Sequence, residues 1–97
     1  LYADILINIG DTKSILKGID ILESSKINTI MRPKIHWQLS KAYYEIDNIS
    51  KADLNIAKYY SLIGDLDSAK RFSERAKQGL QYSSPDWFAA DDIQNIN

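Results

Sequence analysis

The sequence predicts an all-α chain built from paired helices, and three observations carry that prediction. Apolar residues recur at intervals of three and four through most of the chain, the period of a helix and not of a strand. Turn formers at Gly10-Asp11, Asp47-Asn48, Gly64-Asp65 and Ser83-Ser84-Pro85 interrupt that period. In the stretch 52–76, ADLNIAKYYSLIGDLDSAKRFSERA, two amphipathic segments meet at Gly64-Asp65 with small residues where two helices would cross. Ala57 and Ala69 let the backbones approach there, while Ile56, Tyr60 and Phe72 fill the space beside the crossing.

Each element follows from local chemistry. Tyr2, Ile5, Leu6 and Ile9 stripe a first helix that Gly10 can end by adopting positive φ. Asp11 or Thr12 caps a second, striped by Ile15, Leu16, Ile19 and Leu22, with Gly18 inside it at a cost of up to ~1 kcal/mol relative to alanine. The period breaks over 24–32, and Pro33 suits the first turn of a third helix carrying Leu39, Ala42, Tyr43 and Ile46. A fourth, over about 50–63, is apolar around much of its girth, as expected of a helix held between neighbours. Leu66, Ala69, Phe72, Ala76 and Leu80 stripe a fifth. Lys77 and Gln78 fall on its outer face, where truncation to alanine is expected to change stability by less than about 0.5 kcal/mol. Ser84 and Pro85 start a short sixth helix, with Trp87-Phe88 packing as a cap and the chain fraying after Ile93.

Composition narrows the function. A length of 97 residues allows one domain, and the net charge of −1 supplies no global field toward nucleic acid or an anionic membrane. Without cysteine there is no disulfide, thiolate metal site or thiol nucleophile. His36 is the single histidine, set in HWQLS, and is expected to be a structural or surface residue rather than a zinc ligand. Carboxylates at helix ends are explained by capping, and no glycine-rich phosphate loop is present. The chain is therefore expected to be non-enzymatic, with no cofactor of its own. It opens at Leu1 already inside an apolar period, as a piece of a longer protein would. No run approaches the ~20 apolar residues of a membrane helix.

The pattern also repeats. Leu39-Ser40, Tyr43 and Ala52 return seventeen residues later as Ile56-Ala57, Tyr60 and Ala69, and a weaker copy is Tyr2-Ala3, Leu6 and Ile15. Seventeen is half of the 34-residue tetratricopeptide period. The chain resembles such an array: a short right-handed solenoid of about six helices in antiparallel hairpins, one domain over 1–97, with 84–96 as a C-terminal capping helix. Either 35–46 with 50–63, or 50–63 with 66–82, can form one repeat. The place usually held by tryptophan is His36 in one copy and Asp53 in the other, so the repeats are degenerate.

Arrays of this kind leave a long curved face for recognition, so a protein or an extended peptide is the expected partner. Most of Trp37, Tyr43, Tyr44, Tyr59 and Tyr60 belongs to the core by stripe position. Tyr44 and Tyr59 fall off the tightest stripe, and with Lys58 they are the candidate partner-binding residues. The basic face of Lys70, Arg71, Arg75 and Lys77, softened by Glu74, is the next surface; nucleic acid is not an expected partner.

Over 36–93 the order HWQLSKAYYEIDN, ADLNIAKYYSLIGDLDSAKRFSERAKQGL and SSPDWFAADDI resembles the C-terminal repeat region of periplasmic zinc metallopeptidases of the beta-barrel assembly-enhancing protease type. The closing segment is similar to that family's proline-tryptophan turn into a short final helix. The resemblance implies that zinc and an HExxH helix belong to a separate N-terminal domain of the parent protein. The repeats would then hold substrates, the parent's own protease domain or outer-membrane assembly proteins, in the periplasm. It also favours 50–82 as the last complete hairpin. None of the catalytic motif is present, so no catalytic residue carries over. The alternative is a repeat adaptor or scaffold unrelated to proteolysis.

Overall fold

Local turn chemistry divides the chain as its composition suggests. The computed structural model describes residues 2–25 and 33–96, without the side chains of Tyr2, Asp4 and Ser25. Its described helices are α1 (Tyr2–Ile9), α2 (Thr12–Ser25), α3 (Pro33–Glu45), α4 (Ile49–Ile63), α5 (Leu66–Gly79) and α6 (Pro85–Gln94), with no strand among the described residues. Most of the expected break over 24–32 lies outside the described residues. Gly64 ends α4 at φ 87°, where its N–H donates to the Ser61 carbonyl and that of Asp65 to the Tyr60 carbonyl. A side chain is disfavoured in that left-handed conformation, which explains the glycine. Caps open the helices: Asp11, not Thr12, accepts the Ser14 N–H at 2.9 Å, Asp65 accepts that of Ser68, and Ser84 that of Trp87.

Each helix packs against the next, and α6 also folds back onto α4. So α4 touches α3, α5 and α6, which accounts for its broad apolar girth. One core cluster joins Ile15, Ile19 and Leu22 to Leu39, Ala42, Tyr43 and Ala52. Two smaller clusters seat α6: Leu54, Ala76 and Ala90 in one, and Ala57, Ala69 and Ile93 in the other. Ala57 and Ala69 are both fully buried, as the crossing requires, and burying Leu54 contributes about 2 kcal/mol. The body measures 38 × 25 × 19 Å.

Three expectations are corrected by packing between helices. First, α1 presents Ala3, Leu6 and Ile7 inward, whereas Ile5 and Ile9 are each 59% exposed and Leu16 of α2 is 50% exposed. The reason is Gly18, where an added Cβ would stand 2.9 Å from Ile7 Cγ1 and 3.1 Å from the Ala3 carbonyl oxygen. The glycine lets that face of α1 come closest, which also explains its place inside a helix. Second, Lys77 is not an idle surface residue: its Nζ donates to Asp91 Oδ1 at 2.7 Å and to Gln94 Oε1 at 2.9 Å, 4.6 Å from the Trp87 ring centre. Because α6 covers that flank of α5, the lysine joins the two helices. Third, past Ile93 α6 runs on to Gln94 and Ile96 packs against the Ala57–Ala69–Ile93 cluster, so the described chain stays against the body there.

A urea series separates these roles. Ala57→Leu and Ala69→Leu should each overpack the crossing and cost roughly 1–3 kcal/mol. Lys77→Ala should cost about 1 kcal/mol through its ion pair and ring contact, while Gln78→Ala stays within about 0.5 kcal/mol. Equal midpoint shifts for Lys77→Ala and Gln78→Ala would contradict the assignment of Lys77 to the joint between α5 and α6.

Candidate interaction surface

The site rests on how α3 and α4 are held in register. Four consecutive residues of α4, Ala52 to Asn55, are buried, and two of them are polar. A buried polar group needs partners, since leaving one unpaired costs about 1–3 kcal/mol or more. Asp53 Oδ1 accepts the Tyr44 hydroxyl of α3 at 2.5 Å, and Oδ2 lies 3.6 Å from Arg75 Nε of α5. Asn55 donates from Nδ2 to the Lys51 carbonyl at 2.9 Å, which fixes its amide and turns Oδ1 toward His36 Nδ1 at 3.2 Å. With Asn55 Oδ1 as the acceptor, His36 Nδ1 carries a proton and is the donor in this pair. His36 is thus buried between α3 and α4, the interior one of the two positions, structural or surface, that its sequence setting leaves open.

The three candidate residues take different positions. Tyr44 is half-buried, its ring against the larger core cluster and its hydroxyl on Asp53. Burial first, and then the bond to Asp53, push its pKa up to about 12, with Arg75 opposing. Lys58 is half-buried on α4. Tyr59 lies six residues beyond Asp53, about 9 Å along the helix axis, so Tyr44 and Tyr59 sit at separate levels of the α3–α4 pair. The structure instead brings Tyr59 to Trp37: the ring centres are 5.0 Å apart at an interplanar angle of 50°. The ring series continues inward through Tyr60, at 5.3 Å from Tyr59, to Phe72, at 5.8 Å from Tyr60.

Trp37 and Tyr59, with Pro33, Lys34 and Ile63, line an open groove of about 300 Å³ where the start of α3 meets the end of α4. Trp37 is 41% exposed and Ile63 49% exposed along it. Sequence reasoning reached Tyr59 but missed Lys34, Trp37 and Ile63 as one surface. The available signal was the antiparallel pairing itself, which sets the first turns of α3 opposite the last turns of α4. The basic face is broken up: Arg75 turns to Asp53 and lies 5.4 Å from the Phe72 ring centre, and Lys77 is engaged by α6. Among the described residues, no three His, Cys, Asp or Glu side chains gather to hold a metal ion, and no helix is long and apolar enough to cross a membrane.

The Tyr44 contact has a definite pH signature. Its folded pKa lies above the ordinary 10.0, so the neutral phenol is favoured in the fold. That contribution is complete below pH 10 and is lost as pH rises toward about 12. Tyr43 acts in the same direction, raised by burial and by Glu23, whose Oε1 accepts its hydroxyl at 3.1 Å. Urea midpoints measured from pH 8 to 12 should therefore fall more steeply for the native chain than for Tyr44→Phe. Parallel curves would contradict the linkage.

No family model, curated protein or solved structure matches this chain.

Proposed function

We propose that this chain is a tetratricopeptide-like module for protein–protein recognition, a short right-handed solenoid that binds a protein or an extended peptide and performs no catalysis. The contact of each helix with the next supports this reading, as do the buried small residues at the α4–α5 crossing and the seat of α6 on that pair. The observation that carries it is the groove of Trp37, Tyr59 and Ile63. Aromatic side chains left partly open on a rigid helix pair are the usual anchors of recognition, because little conformational entropy is lost when they are covered.

The resemblance over 36–93 extends the proposal to a parent protein. There the module would be the C-terminal repeat region of a periplasmic zinc metallopeptidase, with zinc in a separate domain. Its partners would be that protease domain, substrates or outer-membrane assembly proteins. A repeat adaptor unrelated to proteolysis is the second reading. Reading the parent sequence upstream of Leu1 distinguishes them, since an HExxH motif is expected only in the first case.

Calorimetry with the parent's N-terminal domain, or with the binding partner of an adaptor, tests the surface. Trp37→Ala and Tyr59→Ala should each weaken binding by more than about 1 kcal/mol with the fold retained. Undiminished binding by the folded double variant would remove this groove from the proposal.

A further inference from the structure

The groove has a chemical polarity that narrows its ligand. Among the described residues its lining joins Pro33, Trp37, Tyr59 and Ile63 to one charged residue, Lys34, and includes no carboxylate. Lys51, Arg75 and Lys77 are each engaged by a carboxylate of this chain, at Asp86, Asp53 and Asp91. Among the described residues Lys34 has no such ion pair. Pro33 and Lys34 also open α3, so the mouth of the groove lies at the positive end of a helix. From these features we infer that the groove takes an extended peptide segment in which a bulky apolar side chain stands next to an acidic residue. The inference rests on the interaction-module reading and specifies its ligand.

Volume and charge both enter this assignment. A space of about 300 Å³ is at the small end of ligand sites, enough for one large side chain rather than a folded surface. An apolar side chain entering it covers Trp37 and Ile63, both now partly exposed to water. The neighbouring residue of an extended peptide then remains at the mouth, within the field of Lys34. A competing attraction exists, because a lysine or arginine could settle against the face of Trp37. Lys34 and the helix end oppose that cation and favour the carboxylate, so the two peptide chemistries make opposite predictions.

The test uses the 97-residue chain labelled with ¹⁵N and two blocked peptides, acetyl-Gly-Phe-Asp-Gly-amide and acetyl-Gly-Phe-Lys-Gly-amide, titrated to millimolar concentration at low salt. The acidic peptide should shift the amides of Lys34, Tyr59 and Ile63 and the Trp37 indole, and should bind about threefold more tightly than the basic one. Lys34→Gln should abolish that preference and Lys34→Glu should reverse it, with circular dichroism showing the fold retained. Equal or tighter binding of the basic peptide at the groove overturns the inference and leaves the interaction-module reading intact. Shifts confined to another face, or groove shifts that track protein concentration without peptide, also overturn it. In the latter case the occupant is a second copy of the chain. Trp37→Ala binding the natural partner undiminished counts instead against the module's use of this groove.

Discussion

The carboxylate of Asp53 sits on a helix covered by neighbours on three flanks, and the arrangement of the middle of the molecule depends on its having partners. A buried charge stripped of its partners costs several kcal/mol, far more than one apolar contact returns. Tyr44 reaches it from α3 and Arg75 from α5, so satisfying one side chain constrains three helices together. The His36–Asn55 contact adds a second buried polar tie between α3 and α4 nearby. Apolar burial drives these helices together, but it is weakly directional. The polar contacts select one register among the alignments that apolar packing alone would tolerate.

That register is what creates the groove. With Tyr44 opposite Asp53 and His36 opposite Asn55, the next turns along the antiparallel pair place Trp37 beside Tyr59. Interior and surface are thus one construction, in which buried polar pairs align the helices and the aligned ends leave two aromatic rings partly open. At the other end of α4, Lys77 fastens α6 through Asp91, Gln94 and the Trp87 ring. The small residues Ala57, Ala69, Ala76 and Ala90 let α6 sit close enough for that contact.

Much of the fold was legible because its signals are local. Gly64-Asp65 combines a left-handed stop with a capping carboxylate, and the girth of α4 announces a helix with several neighbours. The repeat spacing also located Ala57 and Ala69 at the buried crossing. What was not legible depends on contacts between helices. The stripe of α1 was misread because Gly18, twelve residues beyond Leu6, decides which face approaches. Lys77 read as solvated because the period of α5 says nothing of what lies on its flank. Asp53 read as a departure from a repeat pattern, although it is the best-connected polar group on α4. The groove was half legible: Tyr59 stood out as an aromatic off the core stripe, but its pairing with Trp37 needed the register.

Amide hydrogen exchange measured residue by residue tests the central claim that α4 is the helix on which the others are assembled. If so, the amides of 52–57 should be the slowest and should open only with global unfolding, so that their exchange free energy equals the stability from denaturant titration. Amides of α1, whose main contacts among the described residues are with α2 and which leaves Ile5 and Ile9 exposed, should exchange through smaller openings. Exchange of 52–57 through local opening, at free energies below those of α1 or α2, would contradict the account.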